Sequence, residues 1–148
     1  MSSAWRAGRI GATTTTIFAE MSALAIATQS INLGQGFPDT DGPAFMLEEA
    51  RAAIASGMNQ YPPGRGILPL REAIAAHSSR MYGLSYDPES EVVITTGATE
   101  ALAASMLAFV NPGDEVIALE PYFDSYAASI EVAGGQRVGV SLFGPDFR

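Results

Sequence analysis

The chain has 148 residues, 47% hydrophobic and 16% charged, which is the composition of one globular domain and not of a disordered segment. All eight Lys+Arg positions are arginine, so a Walker A loop and a Schiff base on a lysine of this chain are excluded. With no Cys, one His and a net charge of -8, the chain excludes disulfides, thiolate chemistry and a His-rich metal cluster, and nucleic acid is disfavoured as the main partner.

The first dozen residues are small, basic and polar, and are expected to be mobile. Thr13 to Thr16 can cap a helix beginning after them. Ile17, Met21, Leu24 and Ala25 recur at helical spacing, which predicts a short amphipathic helix over 17–27. Glu20 and Ser22 spoil this stretch as a signal-peptide core, and no run approaches the ~18 apolar residues of a membrane span. A cytoplasmic protein without a membrane segment is therefore expected. Ile31 to Leu33 reads as a short extended piece, and Gly34-Gln35-Gly36-Phe37-Pro38 as a loop. A helix over 43–56 comes next, stopped by Gly57. Asn59 to Gly66 is turn-rich. A helix over 69–82 has Pro69 in its first turn and Gly83 as its stop.

After Asp87-Pro88 the pattern changes. Val92 to Thr95 reads as a buried strand, 101–110 as a helix, and Val116 to Leu119 as a second buried strand. A helix over 123–133 ends at Gly134-Gly135, and 136–142 is a third strand. This β-α-β-α-β order implies a parallel sheet in an α/β fold. The expected partition is 1–87, an arm with helices and loops, and 88–148, the beginning of an α/β domain. A piece of about 60 residues buries only roughly 60% of its unfolded surface and is marginal alone.

Three places can carry chemistry. Thr95-Thr96-Gly97-Ala98-Thr99-Glu100 joins a strand to a helix N-terminus, where N–H groups without intrahelical partners and the helix dipole favour an anion. It can be a phosphate cradle, or an ordinary turn with Thr99 as N-cap and Glu100 in the first turn. Glu120-Pro121-Tyr122-Phe123-Asp124 comes after the next strand, where ligands sit in open α/β sheets. Its aromatics can cover a flat ring or simply fill core. The loops 34–38 and 59–64 are functional loops or plain turns. The lone His77 reads as a surface or partly buried helix residue with no catalytic role, and Asp39, Asp41, Glu48 and Glu49 as loop and helix-surface charges.

Together, Asn32-Leu33-Gly34-Gln35-Gly36-Phe37-Pro38-Asp39, Asn59-Gln60-Tyr61, Thr96 to Leu102, Pro112 to Val116 and Glu120 to Tyr126 resemble the class I/II aminotransferases. These are fold-type I enzymes that use pyridoxal 5′-phosphate. The likeness runs from about Thr16 to Leu142 and is greatest to the N-succinyldiaminopimelate and kynurenine–glutamine aminotransferases. It implies the start of the three-layer α/β/α large domain with a mostly parallel sheet. It also implies that Gly97, Ala98 and Thr99 hold the cofactor phosphate and that Phe123 stacks on its ring. Tyr61 would reach the phosphate of the neighbouring subunit of a homodimer. Gly36 would meet the substrate carboxylate through its N–H, and Phe18 would line the substrate pocket. The implied reaction moves an amino group between an amino acid, such as N-succinyl-diaminopimelate, and a 2-oxo acid.

The family's cofactor-binding lysine, the aspartate on the pyridine nitrogen and the arginine for the substrate carboxylate lie downstream of the matching region. The chain therefore reads as the N-terminal portion of such an enzyme, inactive by itself and with no catalytic residue of its own. Its sheet is expected to be incomplete, with exposed strand edges that favour aggregation. Two other readings stand beside it. One is a non-catalytic remnant or partner-binding fragment, and the other is a C–S lyase of the same fold.

Overall fold

The computed structural model describes residues 16–36, 38 and 40–147. The expected mobile start, Thr13 to Thr15, Phe37, Asp39 and Arg148 lie outside the described residues. Seven elements run in order: α1 (Ile17–Thr28), α2 (Ala44–Ala55), α3 (Leu68–Tyr82), α4 (Gly97–Phe109), β1 (Glu115–Glu120), α5 (Ser125–Ala133) and β2 (Gln136–Ser141). They belong to two compact units, one holding residues up to 36 with those from 96 onward, the other residues 37 to 95. The sequence placed a single division near 87/88. The first helix belongs with the later residues because Phe18 meets Phe123, with ring centroids 5.9 Å apart.

In the first unit, α1 begins where Thr16 accepts the Ala19 N–H at 3.2 Å, an N-cap bond that satisfies one of the helix's orphan donors. The sheet is a parallel pair, β1 beside β2, in register from Glu115↔Gln136 to Glu120↔Ser141. The β1–α5–β2 connection is the crossover that parallel strands require. Helix α5 packs on β2 and on α4. Ile130 of α5 and Ala118 of β1 are buried.

Two strand expectations are corrected. Val116 to Leu119 is half-buried rather than buried, for Ile117 is 69% and Leu119 57% exposed while Ala118 is covered. Val92 to Thr95 is not a strand. It has the β-branched composition and Val92 is buried, but a strand needs a ladder, and the described sheet contains only β1 and β2.

In the second unit, α2 and α3 form as their apolar periodicity predicts, and Gly83 ends α3 in the left-handed conformation. The segment after α3 is tied back by two arginines. Arg65 donates to the carbonyls of Glu89 (2.6 Å) and Ser90 (2.5 Å), and Arg71 to those of Gly66 (3.1 Å) and Pro88 (2.5 Å). The Ile94 N–H donates to the Arg65 carbonyl at 3.1 Å. Bonds from a charged donor are among the stronger ones, about 1.5–3 kcal/mol each by mutation.

Within that turn, Asp87 accepts from the Ser90 hydroxyl and from the Glu89 N–H (3.0 Å). These bonds, with Arg65 and Arg71 nearby, hold its carboxyl below the ordinary 3.8. A carboxyl whose folded pKa is depressed stabilises the fold above its unfolded pKa and loses that contribution as pH falls through the folded value. Asp87→Asn is therefore expected to flatten the acid limb of stability below about pH 4. Urea midpoints taken down the acid range check this, and identical slopes in the two proteins would contradict it.

Candidate functional site

Helix α4 begins at Gly97, four residues before the sequence placed it, so Thr99 lies inside the first turn and Thr96 is the N-cap. The Thr96 side chain makes no capping bond. Instead Glu100 reaches back and its carboxylate accepts the Thr96 N–H. Ala98 and Thr99 thus present first-turn N–H groups that have no intrahelical acceptor. Gly97 sits at φ +80, and no atom lies within 4 Å of where its Cβ would stand. That combination is what an anion needs: outward N–H groups, the positive end of the dipole, and room against the backbone.

Phe123 lies just beyond β1 and is 47% exposed. Its ring lies 5.9 Å from Phe18 and 6.3 Å, edge-on, from Tyr126. Tyr126 in turn stacks with Tyr122 at 6.2 Å. The first unit therefore holds an aromatic platform with one large ring open to a ligand, and Phe18 from α1 belongs to it.

The platform's stem is fastened by a cluster the sequence did not reveal. Glu120, the last residue of β1, accepts from Arg137 (2.6 Å) and from the Ser141 hydroxyl (3.1 Å). The Arg137 guanidinium also lies over the Tyr122 ring at 5.2 Å. Gly139 makes room for the carboxylate, since a Cβ there would lie 2.5 Å from Glu120 Oε1. This ties the loop that carries Phe123 to the neighbouring strand.

Gly36 lies in the exposed loop after α1, and a Cβ there would meet nothing within 4 Å. Tyr61 is fully exposed in the α2–α3 loop of the second unit, beside an apolar hollow of about 460 Å³ that includes Leu70 and Ile94. His77 is exposed on α3, edge-on to Tyr82 at 6.0 Å. Among the described residues no cluster of His, Cys, Asp or Glu is arranged to hold a metal, and no helix is long and apolar enough to cross a membrane.

The chain superposes on N-succinyldiaminopimelate aminotransferase of Mycobacterium tuberculosis with a TM-score of 0.88 and 54% identity, covering 95% of this chain and 36% of that one. It is 50% identical to methionine aminotransferase of Escherichia coli over 90% of this chain and 35% of the relative. It is 36% identical to kynurenine–oxoglutarate transaminase 3 of Mus musculus over 92% of this chain and 30% of the relative. The chain thus spans about a third of the length of the curated relatives it matches. The matched structures are fold-type I enzymes, and the family uses pyridoxal 5′-phosphate. The open space at Gly97, the first-turn N–H groups beside it and the exposed Phe123 ring suit such a group. A family model described as aminotransferase class I and II matches residues 28–147, and the chain belongs to that family.

Proposed function

We propose that this chain supplies the phosphate cradle and the ring platform of a pyridoxal 5′-phosphate-dependent aminotransferase. The observation that carries the reading is the start of α4. There an open glycine at φ +80 precedes the Ala98 and Thr99 N–H groups, in the same unit as the exposed Phe123. When bound, the cofactor supplies an electron sink for amino-acid chemistry. Gly97, Ala98 and Thr99 hold its phosphate, the last through its hydroxyl as well as its N–H. Phe123 covers one face of its ring and keeps water from it. Gly36 offers its N–H to a substrate carboxylate, and Phe18 walls the substrate pocket.

Substrates of this reading are an amino acid and a 2-oxo acid. The 54% identity to the Mycobacterium tuberculosis enzyme favours N-succinyl-diaminopimelate as the donor. The protein acts as a cytoplasmic homodimer in which Tyr61, fully exposed here, reaches the phosphate bound by the other subunit. The 148 residues contain no lysine, so they bind the cofactor without carrying it on a side chain, and they are inactive alone.

The test is to mix the purified chain with pyridoxal 5′-phosphate, treat it with borohydride, and separate bound from free cofactor. Saturable binding with no pyridoxyl group on any side chain is expected. Absence of saturable binding would overturn the reading.

A further inference from the structure

Helix α1 holds the loop that ends at Gly36 through two polar side chains outside the proposed cradle and platform. Asn32 accepts the Gly34 N–H at 3.0 Å, closing a turn on itself, and its amide donates to the Ser22 hydroxyl of α1 at 3.0 Å. Ser22 in turn donates to the Gln35 side-chain oxygen at 3.3 Å. Both Ser22 and Asn32 are half-buried, whereas Ile31 and Leu33 beside them are 85% and 91% exposed. Gly34 also packs directly on α1, since a Cβ there would stand 3.3 Å from Met21 Cβ. The loop is therefore fixed to the helix by a hydrogen-bonded relay and by a backbone approach that only a small residue permits.

Ser22 stands one helical turn after Phe18, so the two share a face of α1. One end of that face meets Phe123 at 5.9 Å, and the other holds the glycine loop. We propose that Ser22 and Asn32 are positioning residues that preset the Gly36 backbone N–H relative to the aromatic platform, with α1 as the rigid link. The purpose assigned to Gly36 rests on the function proposed above; the relay does not. A turn held by its own side chain needs no ordering at the moment a carboxylate arrives, which is how preorganised sites gain affinity.

Amide hydrogen exchange on the full chain tests this, residue by residue across 33–36 and 122–124. Ser22→Ala is expected to speed exchange at the Gly34 N–H, the loop amide bonded to Asn32, by roughly tenfold while the thermal midpoint barely moves. Ser22→Thr, which keeps the hydroxyl, is expected to restore protection. Asn32→Ala removes the acceptor of the Gly34 N–H itself, so Gly34 protection is expected to be lost there even with Ser22 intact. Unchanged exchange in Ser22→Ala, or a uniform rise across the whole unit, would overturn the proposal. Binding of pyridoxal 5′-phosphate is measured on the same samples. If exchange responds as expected but the cofactor does not bind, the relay stands and the function proposed above fails.

Discussion

Gly66→Ala is expected to unfold the unit that spans residues 37–95. The new Cβ would stand 2.2 Å from Ile94 Cγ1 and 2.6 Å from its Cβ, and the residue sits at φ +89. Rotation about χ1 can move Ile94 Cγ1 but not its Cβ, whose backbone is held by the bond from the Ile94 N–H to the Arg65 carbonyl at 3.1 Å. Overpacking at a fixed backbone together with left-handed strain costs roughly 3 kcal/mol or more, a large part of a small unit's stability. Shortening Ile94 to Ala removes the nearer clash but leaves the Cβ contact, so that second change rescues only partly. Gly64→Ala is the control, since its Cβ would meet nothing within 4 Å. It is expected to shift stability by no more than about 0.5 kcal/mol. Urea unfolding followed by circular dichroism compares them, and equal midpoints for the two variants would contradict this packing.

The second large effect is expected on ligand affinity. Gly97→Ala puts a methyl group into the space proposed for the phosphate and strains a residue at φ +80. The left-handed cost alone is about 1–2 kcal/mol, and loss of close approach by the anion adds to it in the bound state. Binding of pyridoxal 5′-phosphate is expected to weaken at least tenfold, more than stability alone accounts for. Phe123→Ala removes one ring contact worth about 1 kcal/mol, roughly a fivefold loss. Phe123 also meets Phe18 and Tyr126, so the urea midpoint of the variant is measured beside its affinity, and the binding loss is expected to exceed what any loss of stability accounts for. Equilibrium dialysis of the variants checks both, and unchanged affinity in Gly97→Ala would remove the cradle from α4.

The helices were largely legible in the sequence, because their apolar residues repeat locally and Gly57, Gly83 and Gly134 mark their ends. The start of α4 is not, because Gly97 and Ala98 read as loop, and Thr99, the cap in the ordinary-turn reading, lies inside a helix whose N-cap is Thr96. Glycine is a poor helix former, and its use at the first position is explained by the positive φ it adopts there. Val92 to Thr95 misled for another reason: β-branched composition describes a residue's fitness for a sheet, while a strand is a property of a pair.

At the site, the glycine turn and Phe123 could be found from their place after apolar runs. The Glu120–Arg137 pair could not, for its partners are 17 residues apart and meet only when β1 and β2 align. Asn32 was nearer to legible, since an asparagine two residues before a glycine is a common turn signal. Its bond to Ser22, ten residues earlier, needed the fold.

The most direct measurement compares pyridoxal 5′-phosphate with pyridoxal, which lacks the phosphate, as ligands for the unmodified chain. A cradle at Gly97 to Thr99 predicts saturable binding of the phosphorylated form and binding at least tenfold weaker without it, since several charge-assisted hydrogen bonds are lost. Equal affinities, or no binding of either, would contradict the claim that this chain holds the cofactor by its phosphate.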